Sequence, residues 1–256
     1  MSKNLHLGTL VFLECLAEAL ADTASALARP TVANLTGSYD DEPLDRKLRR
    51  LAARGVITLP DPADPRIVRL TEAGQALAHH GVSPSERWAR PWDGRWRMVL
   101  FDISEHEHPV RDRFRHVLRQ ARLGYLQGSV WISPDPLEQL RDTVRAMTAN
   151  PEALLFFEGR PFAAESDAAL VNGAWDFPRL DEAHRECLGI LAHPPADTDS
   201  SHRWKTWLLK EHDAWLRALD LDPLLPSVLL PKSYQGQEVH SLRCRLLRRA
   251  FPHSLG

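Results

Sequence analysis

Residues 41–70 read DEPLDRKLRRLAARGVITLPDPADPRIVRL, and this stretch decides the fold of the N-terminal part. Leu44, Leu48 and Leu51 recur at helical spacing. At about 100° per residue, Arg46, Arg49 and Arg50 project from the opposite side, with Lys47 and Arg54 on one flank. Asp40 or Asp41 is placed to cap the helix, and Pro43 suits its first turn. Gly55 suits the left-handed residue that ends it. Val56–Leu59 and Arg66–Leu70 then read as two short strands around the turn-rich run Pro60–Pro65.

Upstream, residues 8–28 read as an amphipathic helix. Leu10, Leu13, Ala17, Leu20, Ala24 and Leu27 share one face, and Glu14, Glu18, Asp22 and Ser25 share the other. Pro30 and Gly37 bracket a short second helix at Thr31–Leu35. Downstream, Thr71 and Glu72 open a helix that ends near Gly81. Three helices followed by strand, turn and strand is the order of a winged helix-turn-helix domain. Residues 43–70 carry seven bases against three acids in a chain of net charge -2. Arg46, Lys47, Arg49, Arg50 and Arg54 on the helix, with Arg66 and Arg69 on the wing, are the candidate DNA-binding residues. A recognition helix packs its apolar stripe inward and turns its cations toward phosphates and base edges. The competing reading is a solvated helix face with an Asp45–Arg49 pair. The strand–turn–strand order that follows the helix favours DNA.

Beyond residue 82 the pattern changes. Residues 83–95 hold Pro84, Pro91 and Gly94 without a clear period and read as a linker. Trp96–Ile103 then reads as a strand, and Val110, Phe114, Val117, Leu118 and Ala121 as one face of a helix ended by Gly124. Tyr125–Gln127 and Ser129–Ile132 read as strands meeting at Gly128. Leu137, Leu140, Val144 and Met147 mark a second helix, and Ala153–Phe157 a last strand. The order βαββαβ predicts a ferredoxin-like unit with two helices on one face of an antiparallel sheet. From residue 162 the chain reads as helical. The expected fold class is therefore α+β: a winged helix over 1–82, the linker, a ferredoxin-like dimerisation domain over 96–165 and a helical domain over 166–256.

Composition excludes several classes. A net charge of -2 rules out a coat protein basic all over. Cys15, Cys187 and Cys244 are scattered with no C-x-x-C pair, which suits reduced thiols in the cytoplasm. The first apolar run is broken by Glu14, Glu18 and Asp22, so neither a signal peptide nor a membrane span is expected. The twelve histidines show no H-x-x-x-H or H-E-x-x-H spacing and read as surface groups. No G-x-S-x-G, P-loop or G-x-G-x-x-G occurs, so no catalytic residue and no cofactor is expected.

A resemblance covers most of the chain. The run Trp92-Asp93-Gly94-Arg95-Trp96-Arg97 leading into Phe101-Asp102-Ile103, then Gly124-Tyr125 and Val130-Trp131-Ile132-Ser133-Pro134, resembles the PaaX family of phenylacetate-pathway repressors. Asp222-Pro223-Leu224-Leu225-Pro226, Leu229-Leu230-Pro231 and Gly236 are similar to that family's C-terminal segment, and Leu70-Thr71-Glu72-Ala73-Gly74 to the end of its winged helix. The family's usual Thr-Leu-x-Gly-Asp opening is absent. The resemblance implies a cytoplasmic homodimeric repressor that leaves its double-stranded operator on binding an aryl-acyl-CoA ligand. An aryl group or adenine needs a flat apolar wall and phosphates need cations. Trp96, Trp131, Arg111 and Arg115 are the candidate ligand residues on that basis.

The middle unit also resembles the small metal-dependent endonuclease of CRISPR adaptation, through Phe101-Asp102-Ile103 and Gln127-Gly128-Ser129-Val130. That alternative places Mg²⁺ on Asp102 of two chains. Against it, one carboxylate per chain is a sparse metal site, and Ser104-Glu105-His106 offers no clear second ligand. A third reading is a non-enzymatic nucleic-acid defence protein in which the middle domain only dimerises.

Overall fold

The computed structural model describes residues 7–21, 44–59, 69–78, 81–103, 108–147, 153–163 and 165–250. Its fold is mixed α+β, with a four-stranded antiparallel sheet in the middle of the chain and helices at both ends. Packing divides it into two units. One comprises residues 1–83, 182–219 and 235–256, and the other 84–181 and 220–234.

The first unit opens with α1 (Leu7–Ala21) and α2 (Leu44–Ala53). The segment Thr31–Leu35, read as a short helix, lies outside the described residues. α2 ends as its sequence predicts: Gly55 adopts φ 69°, and the Val56 N–H reaches back to the Leu51 carbonyl at 3.0 Å. β1 (Ile57–Thr58) and β2 (Arg69–Leu70) pair antiparallel, Ile57 opposite Leu70. α3 (Glu72–Ala78) follows.

The run Leu70-Thr71-Glu72-Ala73-Gly74 acquires a physical meaning here. The Thr71 hydroxyl donates to the Gly55 and Val56 carbonyls at 2.6 and 3.0 Å and accepts the Gly74 N–H at 3.1 Å. Thr71 thus ties the end of α2 to the start of α3. Gly74 lies against the Val56 carbonyl so closely that any Cβ there would overlap the oxygen. That oxygen is held by the Thr71 N–H at 3.0 Å and cannot yield cheaply. Gly74→Ala is expected to destabilise the protein by about 1–3 kcal/mol, as overpacking of a close contact does. Thermal unfolding checks this, and a wild-type midpoint would contradict it.

α1 departs from the expected two-faced helix. Val11, Phe12, Leu13, Cys15, Leu16 and Ala17 are all buried, and so is Glu14, which was read as solvent-facing. α1 packs on α3 and on α10 (Gly236–Ala250). Glu14 is satisfied by partners from the C-terminal helices, α9 (Ser201–Leu221) and α10. His212 Nδ1 lies 2.9 Å from Glu14 Oε2. Arg243 donates to Glu14 and Glu211 at 2.7 Å each. Its guanidinium also sits 5.1 Å from the Trp215 ring.

The second unit begins with α4 (Pro84–Ala89), in the segment expected to be a linker. Arg87 and Arg90 there bind Asp135, each at 2.6 Å. The sheet comprises β3 (Trp96–Phe101), β4 (Gly124–Gln127), β5 (Val130–Ser133) and β6 (Leu154–Gly159), in the order β4-β5-β3-β6. With α5 (His108–Gln120) and α6 (Glu138–Arg145), this is the ferredoxin-like βαββαβ arrangement. One sheet face buries Val99, Phe101, Trp131 and Leu154 against Phe114 and Leu118 of α5 and Val144 of α6. The other face is covered as well. Trp96 and Ile132 pack on Val171 and Ala174 of α7 (Asp167–Ala174), on Phe177 and Leu180 from the start of α8 (Phe177–Leu191), and on Leu225 and Leu229. Gly124 permits the close approach of α7, since a Cβ there would lie 2.6 Å from Ala174 and 2.7 Å from the Trp175 ring.

The segment Asp222–Pro226 is a pinned turn. Leu224 holds φ 49°, an uncommon conformation for leucine. Asp222 fixes it by accepting the Leu224 N–H at 2.8 Å and the Tyr234 hydroxyl. Arg90 donates to the Leu224 carbonyl at 2.5 Å, and Arg122 donates to that of Asp222. Burial pushes the Asp222 carboxyl up to about 6, against the opposing hydrogen bonds from Tyr234 and Leu224. The folded chain therefore holds this proton more tightly than the unfolded chain does. The stability linked to it is fully present below about pH 4 and is lost as pH rises through 6. Relative to Asp222→Asn, wild type is expected to lose about 2 kcal/mol between pH 4 and 7, most of what a shift of about two pH units carries at about 1.4 kcal/mol each. Urea titrations at both pH values check this, and a pH-independent difference would contradict it.

Candidate nucleic-acid interface

The residues singled out for DNA begin on α2. Leu48 and Leu51 are buried, at 3% and 0% exposure, which fixes the rotation of the helix. Arg46, Arg49, Arg50 and Arg54 are all exposed as a consequence. Three guanidinium groups thus stand on α2, and a fourth, Arg54, follows its last residue. An always-charged, planar, five-donor group is well suited to phosphate oxygens and guanine edges. The Lys47 and Arg69 side chains and the whole of Arg66 lie outside what the structure describes; for Arg69 the backbone is placed in β2.

The candidate ligand residues are not brought together. Trp96 is 2% exposed, and its Nε1 donates to Asp167 at 2.8 Å. Its ring packs between Trp92 and Trp175, with centroids 5.6 and 6.2 Å away. Trp131 is also 2% exposed, but it belongs to the core on the opposite sheet face. Register explains the separation. Trp131 pairs with Val99, and Trp96 stands an odd number of residues from Val99 on the same strand. The two rings therefore cannot form one wall. Arg111 and Arg115 lie half-buried on α5.

Asp102 follows β3 and is exposed, and its N–H donates to the Ala153 carbonyl at 2.9 Å. Among the described residues, no group of three or more His, Cys, Asp or Glu side chains is placed to hold a metal. Ser104, Glu105 and His106 lie outside the described residues. Among the described residues, no helix is long and apolar enough to cross a membrane.

One cationic feature was not singled out as a unit. α5 carries Arg111, Arg113, Arg115 and Arg119 with a single acid, Asp112. The i, i+4, i+8 spacing of Arg111, Arg115 and Arg119 was the available signal.

Residues 89–171 match the family described as the PaaX protein central Cas2-like domain. Among solved structures, the uncharacterized protein Rv0674 from Mycobacterium tuberculosis is similar over 96% of each chain, with a TM-score of 0.55 and 22% sequence identity. That likeness concerns the fold. No curated protein matches the chain.

Proposed function

We propose that this chain, a PaaX-family protein by its central domain, is a DNA-binding transcriptional repressor that acts as a homodimer. Family membership suggests a transcriptional regulator, and the observation that supports DNA binding is α2. Leu48 and Leu51 are buried and Arg46, Arg49 and Arg50 exposed, in a helix followed directly by a paired β1–β2 wing and α3. In this reading residues 1–82 form a winged helix, and α2 enters the major groove. Arg46, Lys47, Arg49, Arg50 and Arg54 contact bases and phosphates, while Arg66 and Arg69 on the wing reach the flanking backbone. Two copies would read half-sites about 34 Å apart, one turn of B-DNA. The middle domain over 96–165 would dimerise in the cytoplasm, and the helical domain over 166–256 would support it. Release by an acyl-CoA-class ligand belongs to the same reading. Arg111 and Arg115 are its candidate contacts, while Trp96 and Trp131 are core side chains on opposite faces. The reading needs no catalytic residue, metal or cofactor.

The test is recovery and sequencing of genomic fragments bound by the purified full-length protein. A shared two-fold symmetric sequence, with half-sites one helical turn apart, is the expected result. Fragments with no common sequence would overturn the proposal.

A further inference from the structure

We infer that the outer face of α5 is a second DNA-contacting surface, one that grips the phosphate backbone without reading sequence. This rests on the DNA-binding reading above and adds to it a surface in the middle domain.

The inner side of α5 is fixed by packing. Phe114 and Leu118 are fully buried, and Phe114 meets the Phe101 ring edge-on at 4.6 Å. Val110 and Val117 complete that stripe. Everything else on the helix therefore faces outward or lies along its flanks. What faces outward is cationic: Arg113, His116 and Arg119 are exposed, and Arg115 is half-exposed. Residues 108–120 contain four arginines, two histidines and one acid, and no lysine. α6, the other helix on the same sheet face, is balanced, with Arg141 and Arg145 against Glu138 and Asp142. The excess therefore belongs to α5 rather than to the layer as a whole.

A solvated helix face ordinarily carries both signs, arranged as i,i+4 pairs. Here Arg113, Arg115 and Arg119 form no ion pair with any described residue, although Arg119 lies over the Trp131 ring at 5.6 Å. Arg115 and Arg119 follow one another at about 6 Å of helix rise, and Arg111, half-buried and engaged within the fold, lies one turn before them. The partner such a face fits is a regular array of negative charge. A DNA duplex offers one phosphate per roughly 1.7 Å of its axis. Exclusive use of arginine also suits phosphate, which the guanidinium fork can bind through two parallel hydrogen bonds.

The test uses the full-length protein and a fluorescently labelled duplex of random sequence. Anisotropy titrations run from 50 to 200 mM KCl, and the slope of log affinity against log salt is read. Arg115→Gln with Arg119→Gln is expected to flatten the slope by about 1.8, at about 0.9 per lost phosphate contact. Asp112→Asn removes the one acid of this face and is expected to tighten binding. That change of opposite sign keeps the test decisive if the double variant folds poorly. Wild-type binding with the same slope in the double variant, and no tightening by Asp112→Asn, overturns this inference and leaves the regulator reading standing. No binding of any duplex by wild type overturns both. An unchanged slope with weakened binding of coenzyme A assigns the helix to a small phosphate ligand and also overturns the inference.

Discussion

Arg243→Leu is expected to lower the stability of the protein by about 3–5 kcal/mol, the cost of removing one partner from a buried ionic cluster. Arg243 is 5% exposed and is the cation shared by Glu14 and Glu211, which are each 3% exposed. Burial alone would lower the charge affinity of its guanidinium, but the two carboxylates hold it above the ordinary arginine range. Burial raises the Glu211 carboxyl, although Arg243 opposes that shift. Leucine fills part of the space and leaves two buried carboxylates without their guanidinium. Whole-domain stabilities are about 5–15 kcal/mol, so the loss would be a large share of the total. Urea unfolding of wild type and variant measures it. Adding Glu14→Gln and Glu211→Gln should recover much of the loss, because the uncompensated charge is then gone. A loss below about 1 kcal/mol in the single variant would mean that the cluster is wetter and more weakly coupled than its geometry indicates.

The same cluster shows what a linear reading of the chain misses. Helical periodicity places Glu14 on the polar side of α1, and that inference uses only neighbours in sequence. The partners that make its burial tolerable, His212 and Arg243, lie about two hundred residues away. No local pattern encodes such a pairing. The segment at 83–95 is a second example. It lacks a period because it contains only a short helix, α4, which Arg87 and Arg90 anchor to Asp135 more than forty residues on.

Features set within a few residues were legible. The α2 leucine stripe, the Gly55 stop, the β1–β2 pair and the βαββαβ order all follow from local rules of period and turn. Within the candidate site, the helix that presents Arg46, Arg49, Arg50 and Arg54 was legible for the same reason. The pairing of Trp96 with Trp131 as ligand residues was not a local question. Each lies on an adjacent strand and each is aromatic, yet only the register reveals that they face opposite ways. The arginines of α5 were visible as letters. That Arg113, Arg115 and Arg119 form no ion pair among the described residues could be known only once α6 was placed beside them.

Arg46→Ala combined with Arg50→Ala is expected to abolish operator binding while leaving the fold intact. Both side chains are exposed on α2, so their removal touches none of the buried stripe formed by Leu48 and Leu51. Alanine also favours the helix, and exposed substitutions usually change stability by no more than about 0.5 kcal/mol. On the DNA side each arginine that contacts a base or phosphate contributes about 1–3 kcal/mol, so the pair should weaken specific binding by about 2–6 kcal/mol. The upper part of that range brings specific binding down to the level of random duplex. Two observables separate loss of site-specific grip from loss of charge. If both arginines touch only phosphates, affinity falls for every duplex alike and the salt slope flattens by about 1.8. If either reads a base, affinity for the operator falls further than affinity for random DNA. Gel shifts on operator and random duplexes, with circular dichroism to verify folding, make the comparison. Unchanged operator affinity in a folded double variant would place the recognition surface elsewhere than α2.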